Sequence, residues 1–225
     1  MPSDLRTRAI VLRRTNYGES DRILNLLTPE GKVAVLAKGV RKEKSRLAGG
    51  IELFSISDVV IHQGRSNLGI LTGAKMLQFF GNIISDLARL ELAAGFMKKL
   101  DRASEQIPSP DHYDLLVQSL KSLNLAMSGD LVSTWFILNL ARINGETINF
   151  FRDTAGNELS PDQTYIWDPI ESALRPDPSG PISAREIKLA RFLLSNPLSH
   201  AEKIENLPVI IPPILDLAKK IEQNY

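Results

Sequence analysis

The chain has no cysteine, which removes disulfides, thiol nucleophiles and every cysteine-based zinc or iron–sulfur site in one step. Histidine is nearly as scarce: His62, His112 and His200 are the three in the sequence and share no ligand spacing, so no metal or other cofactor is expected. Long apolar runs are missing too. No stretch approaches the roughly 18 uninterrupted apolar residues of a membrane span, and the opening MPSDLRTRAIVLRR puts charge where a signal peptide would have its apolar core. These features predict a cytoplasmic protein. The phosphate-loop pattern G-x-x-x-x-G-K-[ST], the dinucleotide fingerprint G-x-G-x-x-G, H-E-x-x-H and G-x-S-x-G are all lacking, which leaves motor, Rossmann, zincin and serine-hydrolase chemistry without local support. No catalytic residue is assigned. A two-metal nuclease built from scattered carboxylates stays open, because such sites form in space and not along the chain.

What is present is 43% apolar residues, enough for a real core, and a polarised charge. Residues 1–80 hold 13 Lys and Arg against 7 Asp and Glu, whereas the remainder holds 14 against 19. A net +1 therefore conceals a basic first segment and an acidic second one, the pattern of a chain whose first part meets a polyanion.

The first segment reads as five short strands, 8–15, 22–28, 32–38, 51–63 and 67–75, rich in Val, Ile and Leu and separated by Gly, Asn, Asp and Ser. With no helix long enough to cover a parallel sheet, a small antiparallel barrel of the OB type is the economical arrangement. From about residue 85 the apolar spacing lengthens to the helical period, with Leu87, Leu90, Ala94, Met97 and Leu100 able to share a face. Ser109-Pro110 opens a second helix expected to reach Gly129, and LVSTWFILNLARI forms a third closed by Asn144-Gly145. Ser183 with Glu186 and Ser199 with Glu202 have capping-box spacing, and Pro212-Pro213 is placed to open a last helix running to Tyr225. Residues 147–182, with five prolines, read as an irregular insertion. The expected architecture is α+β: an OB-fold barrel over 1–80 followed by a mostly α-helical domain over 81–225.

The strongest local signal is the run 38–46, which places Lys38, Arg41, Lys42, Lys44 and Arg46 between strands three and four, bracketed by Gly39, Gly49 and Gly50. Glycines let backbone approach phosphates, and each cation that neutralises a phosphate releases counterions. Arg6, Arg8, Arg13, Arg14, Arg22 and Lys32 add positive charge to the same domain. The DNA-binding set expected from charge is Arg14, Arg22, Lys32, Lys38, Arg41, Lys42, Lys44 and Arg46. Aromatic platforms are few: Tyr17 is a candidate exposed ring, whereas Phe54 falls in an apolar alternation that suits the core. Glu19 and Asp21 lie in a turn, where capping or a link to Arg22 is their expected use. An RNA-binding OB module would carry the same charges.

The first 80 residues resemble the RecO family of bacterial recombination mediators, through Ala9-Ile10-Val11-Leu12, Tyr17-Gly18-Glu19-Ser20-Asp21-Arg22, Leu27-Thr28-Pro29-Glu30-Gly31-Lys32, Ala37-Lys38-Gly39-Val40-Arg41, Lys44-Ser45-Arg46-Leu47 and Glu52-Leu53-Phe54. The helical remainder is similar in outline. Many such proteins carry a four-cysteine zinc module where this chain has Phe151-Arg152-Asp153-Thr154-Ala155-Gly156, so a metal-free version is implied; an acidic residue common near the barrel's end is replaced by Gly73-Ala74-Lys75. The resemblance implies a non-enzymatic protein at the bacterial nucleoid that binds single- and double-stranded DNA, anneals complementary strands and helps load recombinase onto DNA coated by single-strand-binding protein. It further implies RecR and the acidic, apolar tail of single-strand-binding protein as partners. Lys98, Lys99, Lys121, Arg142 and Arg191 are the helical cations that could rim a tail groove, with Trp135 and Phe136 assigned to the core.

Overall fold

A computed structural model describes residues 3–64, 68–146 and 149–223. Sequence expectations that fall on 65–67, 147–148, 224–225 and the side chain of Glu202 lie outside the described residues. The chain forms two compact units, Met1–Leu125 and Ala126–Tyr225. By packing, the first unit thus extends past residue 80 and takes in the helices that follow the barrel.

In the first unit, strands β1 (Ser3–Tyr17), β2 (Asp21–Thr28), β3 (Gly31–Ala37), β4 (Ser55–Gln63) and β5 (Leu68–Phe79) close into a barrel of order β1-β2-β3-β5-β4. All neighbours are antiparallel except β3 and β5, which close it in parallel. This is an OB-like barrel, as the strand count and turn spacing predicted. β1 changes partner halfway: Ser3–Ile10 pairs with β4 and Ile10–Tyr17 with β2, through an irregularity between Val11 and Arg13. Residues of one parity, Ala9, Val11, Leu24, Leu26, Val35, Val59 and Ile61 among them, fill the interior. Ile10, Leu12 and Leu27 have the other parity and are buried as well. Outside β1 and β3 packs α2 (Leu87–Gln106), while α3 (Asp111–Asn124) contacts β2. Burial on both faces explains the unbroken Ala-Ile-Val-Leu run of β1.

A one-turn helix α1 (Gly81–Ile84) precedes α2, and the apolar face of α2 differs from the one expected. Ala93, Phe96, Met97, Leu100 and Ala103 are buried, whereas Leu87 is 70% exposed. Two registers of an i, i+3, i+4 pattern overlapped there, and only contact with the barrel decides between them. Helix α3 stops at Asn124, short of Gly129, which instead starts the next helix behind a Ser128 N-cap that accepts from Leu131 N–H at 3.5 Å.

The second unit is built around α4 (Gly129–Ile143), whose residues from Leu131 to Ala141 are all buried, including Trp135 and Phe136. A helix apolar all round belongs inside. It is packed by α5 (Ala184–Ser195) and α6 (Leu207–Glu222). The expected capping box of Ser183 and Glu186 is formed, and Gly145 takes φ +85° behind α4. Leu198–Lys203 is a 3-10 turn. Pro212 and Pro213 lie inside α6 rather than at its start. The lost backbone hydrogen bonds are offset by burial of Ile211, Ile214, Leu215, Leu217, Ala218 and Ile221 along one face.

Residues 147–182 are not irregular throughout. Strands β6 (Asn149–Asp153), β7 (Tyr165–Asp168) and β8 (Ala173–Pro176) form a small sheet of order β6-β8-β7. Four or five residues are too few for an alternation to stand out, and the prolines of the stretch masked it.

Candidate nucleic-acid interface

The basic run 38–46 belongs to the segment linking β3 to β4, and it is anchored at several points. Val40 and Ile51 are buried in the barrel core, 3% and 1% exposed. The Gly39 N–H donates to the Asp21 carboxylate at 2.7 Å, and the Arg41 N–H to the Ser20 carbonyl at 2.8 Å. Asp21 is therefore the cap its place in the turn suggested, here for the neighbouring loop. The Arg41 guanidinium reaches the Gly18 carbonyl at 3.3 Å, and turns link Lys42 to Gly39 and Ser45 to Lys42. Gly39 uses its freedom at φ +62°. Gly50, expected to be a flexible bracket, is locked: a β-carbon there would stand 2.5 Å from the Ala74 carbonyl group on β5.

The anchoring leaves Lys38, Arg41, Lys42, Lys44 and Arg46 exposed, and among the described residues none of them forms an ion pair. The other three expected cations are placed differently. Arg14 is paired with Glu52 on the loop's return arm at 3.1 Å. Arg22, half-buried, donates to the Asn16 side chain at 3.2 Å.

Lys32 corrects the reading from charge alone, because its side chain is 9% exposed and faces α2. Its Nζ lies 2.6 Å from Asp101 Oδ1, 2.6 Å from the Asp101 carbonyl and 2.6 Å from Glu105 Oε1. Asp101 also accepts from Asn25 Nδ2 at 2.9 Å and meets Arg13 Nε at 3.2 Å. Outward parity puts Asn25 and Lys32 beneath the helix, and Asp101 and Glu105 are one turn apart on it. Burial pushes the Asp101 carboxyl up, but hydrogen bonds from Lys32 and Asn25 and the charges of Lys32 and Arg13 outweigh it and hold the group below the usual range. Lys32 is a clamp between barrel and helix.

Tyr17 is 55% exposed beside the loop's anchor turn, and Phe54 is buried, as their contexts predicted. The five helical cations are divided between the units. Lys98 and Lys121 are exposed and Lys99 is half-buried, on α2 and α3. On α4, Arg142 is exposed and donates to Asn139 Oδ1 at 3.3 Å. Arg191 on α5 donates to the Phe150 carbonyl at 2.8 and 2.5 Å and lies 4.5 Å over the ring of Phe151, itself 64% exposed. Phe151, Arg152, Glu158, Leu159 and Arg191 line a cavity of about 300 Å3. Trp135 Nε1 is satisfied inside the unit by the Asn196 carbonyl at 3.2 Å.

The stretch aligned with a zinc module does not offer a zinc donor set. After β6 the Asp153 carboxylate accepts from the backbone N–H groups of Ala155 and Asn157 at 2.9 and 2.8 Å and from Asn157 Nδ2 at 3.2 Å, closing the turn itself. Among the described residues no group of three or more His, Asp or Glu side chains is placed to hold a metal, and no helix is long and apolar enough to cross a membrane.

Residues 1–80 match the family model "Recombination protein O N terminal", and residues 84–223 match "Recombination protein O C terminal". Among curated proteins, the DNA repair protein RecO of Dehalococcoides mccartyi is 31% identical over 223 residues, covering 91% of this chain and 83% of the relative. That of Roseiflexus sp. strain RS-1 is 33% identical over 211 residues, covering 90% and 74%. The DNA repair protein RecO of Heliobacterium modesticaldum is 38% identical over 136 residues, covering 60% and 49%. With family models spanning both halves and the first two of these relatives aligned over most of their length, the chain belongs to the RecO family of DNA repair proteins.

Proposed function

We propose that this chain binds single- and double-stranded DNA through the 38–46 loop, makes and breaks no covalent bond, anneals complementary strands and assists recombinase loading onto DNA coated by single-strand-binding protein in the bacterial cytoplasm. The observation that carries the reading is five exposed cations, none in an ion pair among the described residues, on a loop whose backbone is fixed by Val40, Ile51 and Asp21. A fixed loop loses little conformational entropy when it meets phosphate. Neutralised phosphates lower repulsion between strands and leave base edges free to pair. Arg22 sits at the same end of the barrel, and Tyr17 offers one ring for stacking. RecR and the acidic, apolar tail of single-strand-binding protein are the proposed partners. For the tail, Arg191 is the candidate with the best surroundings, since its cavity combines an exposed aromatic with a second arginine, Arg152.

The test is binding and annealing of oligonucleotides across a salt series. Five phosphate contacts give a log–log slope near about −3.5 on single strands, at about 0.7 per contact. Replacing Arg41, Lys42, Lys44 and Arg46 by alanine should bring the slope close to about −0.7 and abolish annealing at moderate salt. Unchanged affinity removes the loop from the mechanism. Tighter binding of RNA than of DNA of equal length transfers the reading to an RNA ligand.

A further inference from the structure

The wall of the barrel formed by the first half of β1 with β4 and β5 carries a groove of about 550 Å3. Arg6, Arg8, Asp58, Val60, Gly73 and Lys75 are among its lining residues. Strand register places Arg8, Asp58 and Lys75 in one row across the three strands and Arg6, Val60 and Gly73 in the next. Arg6, Arg8, Lys75 and Asp58 are exposed, and among the described residues none of the three cations is drawn into an ion pair. The floor is low because Gly73 has no side chain; a β-carbon there would stand 3.3 Å from Val60 Cγ2. Three cations around one carboxylate over a partly apolar floor suit a phosphodiester strand, whose phosphates meet the rim and whose sugars meet the floor.

Two features separate this groove from the 38–46 loop. Arg8 and Tyr17 are nine residues apart on β1, about 30 Å along the strand at about 3.3 Å per residue, and where the foot of the loop does come near, Gly50 meets Ala74 on the inner side of β5 while Lys75 faces out. Between them Arg13 is paired with Asp101 and Arg14 with Glu52, so the positive surface is interrupted. The outer face of β2 and β3, which OB domains commonly use for oligonucleotides, is closed at Lys32 and Asn25 by α2. We infer that the barrel holds two nucleic-acid strands at once, one on the loop and a second in the β1–β4–β5 groove, and that annealing joins strands delivered from these two places. This rests on the reading that the loop binds DNA.

The experiment mixes the full chain with two non-complementary single strands carrying donor and acceptor dyes, counts strands bound per chain, and then measures the annealing rate of a complementary pair. The wild type is expected to hold two strands per chain. Arg6→Ala/Arg8→Ala/Lys75→Ala should keep the first strand within about twofold, bind the second at least about tenfold more weakly and lower the salt slope of that step by about 2, three contacts at about 0.7 each. Annealing should slow by at least about tenfold. Asp58→Asn should tighten the second strand about threefold, a gain that no loss of folding can imitate. One strand per chain in the wild type, or annealing by the triple variant at the wild-type rate, overturns the groove and leaves the loop reading intact. A loop variant that still binds its first strand, with the triple variant binding none, overturns both the order of sites and the loop reading.

Discussion

Removing the Asp101 carboxylate should destabilise the first unit by about 3 kcal/mol, and the figure follows from what the carboxylate touches. Asp101→Ala strands the Asn25 side-chain amide, which is 8% exposed and donates to no other acceptor among the described residues; a buried donor left without a partner costs about 1–3 kcal/mol. It also takes one of three acceptors from the Lys32 ammonium, whose side chain is 9% exposed. Orphaning a buried charge outright costs about 3–5 kcal/mol, but Glu105 and the Asp101 carbonyl remain, which limits this share to about 1–2 kcal/mol. The Arg13 bridge, with that side chain 61% exposed, adds less than about 0.5 kcal/mol. Lys32→Met, which replaces the ammonium by an apolar side chain of similar length and leaves Asp101 with Asn25 and Arg13, should cost only about 1 kcal/mol. Acid provides an independent check. The folded-state pKa of Asp101 lies below its unfolded value, so its contribution is complete above about pH 5 and is lost as pH falls through the folded pKa, below about 4. The gap between wild type and Asp101→Ala should therefore close in acid. Urea titration followed by far-UV circular dichroism is the assay, since Trp135 and Trp167 both lie in the second unit and their fluorescence does not report the barrel. A cost below about 1 kcal/mol at pH 7, or a gap indifferent to acid, refutes the clamp.

Gly50→Ala should cost about 2–4 kcal/mol because the new methyl meets Ala74 backbone at 2.5 Å, whereas Gly49→Ala, with nothing within 4 Å, should stay within about 0.5 kcal/mol; equal thermal shifts for the two would contradict the locked contact. Glu186→Ala removes the reciprocal half of the capping box, in which Glu186 Oε2 accepts from the Ser183 N–H at 2.8 Å, and should lower the second unit's stability by about 1 kcal/mol by tryptophan fluorescence. Asp153→Ala should lower the melting temperature of the second unit while a chelator leaves the wild type unchanged, because a carboxylate and not a metal closes the turn after β6. Burial opposes ionisation of Asp153, but hydrogen bonds from the Asn157 backbone and side chain and the Ala155 backbone hold its pKa below the usual range, so its contribution too is present above the unfolded pKa and fades as pH drops through the folded one; a melting temperature that falls on chelation would show a metal after all.

The barrel was readable because each strand is at least seven residues long, rich in Val, Ile and Leu and bounded by turn residues. The sheet of β6, β7 and β8 was not, since five residues or fewer carry no period and Pro176 ends one of the strands. Nor was the start of α6: Pro212-Pro213 is an N-terminal signal in isolation, and only the buried face shared by Ile211 and Ile214 extends the helix back to Leu207. Within the candidate site, the cations of the 38–46 run were visible as charge. Their fixation by Val40 and Asp21, and the removal of Lys32 by a carboxylate 69 residues further on, depend on contacts between segments that no local pattern encodes. Parity alone would have found Arg6 and Arg8 on the outside of β1, but nothing local puts Lys75 beside them.

Charge counted along a sequence and charge offered to a ligand are different quantities, and in this barrel the difference has one physical origin. Arg13 on β1 and Lys32 on β3 lie beside α2, where Asp101 and Glu105 stand one turn apart. Desolvation there forces pairing, because an ammonium 9% exposed without a counter-charge would lose its hydration and gain nothing. Beyond the helix, on the 38–46 loop and on the opposite wall, water solvates the cations and no pairing is required. The same helix that neutralises one face of the barrel thereby leaves the positive potential on the other two. Reversing the helix's contribution should make the point directly: Glu105→Lys adds positive charge at the clamp rather than at the loop, so it should cost stability while leaving the salt slope of DNA binding unchanged, and a steeper slope would mean that the clamp face also meets phosphate.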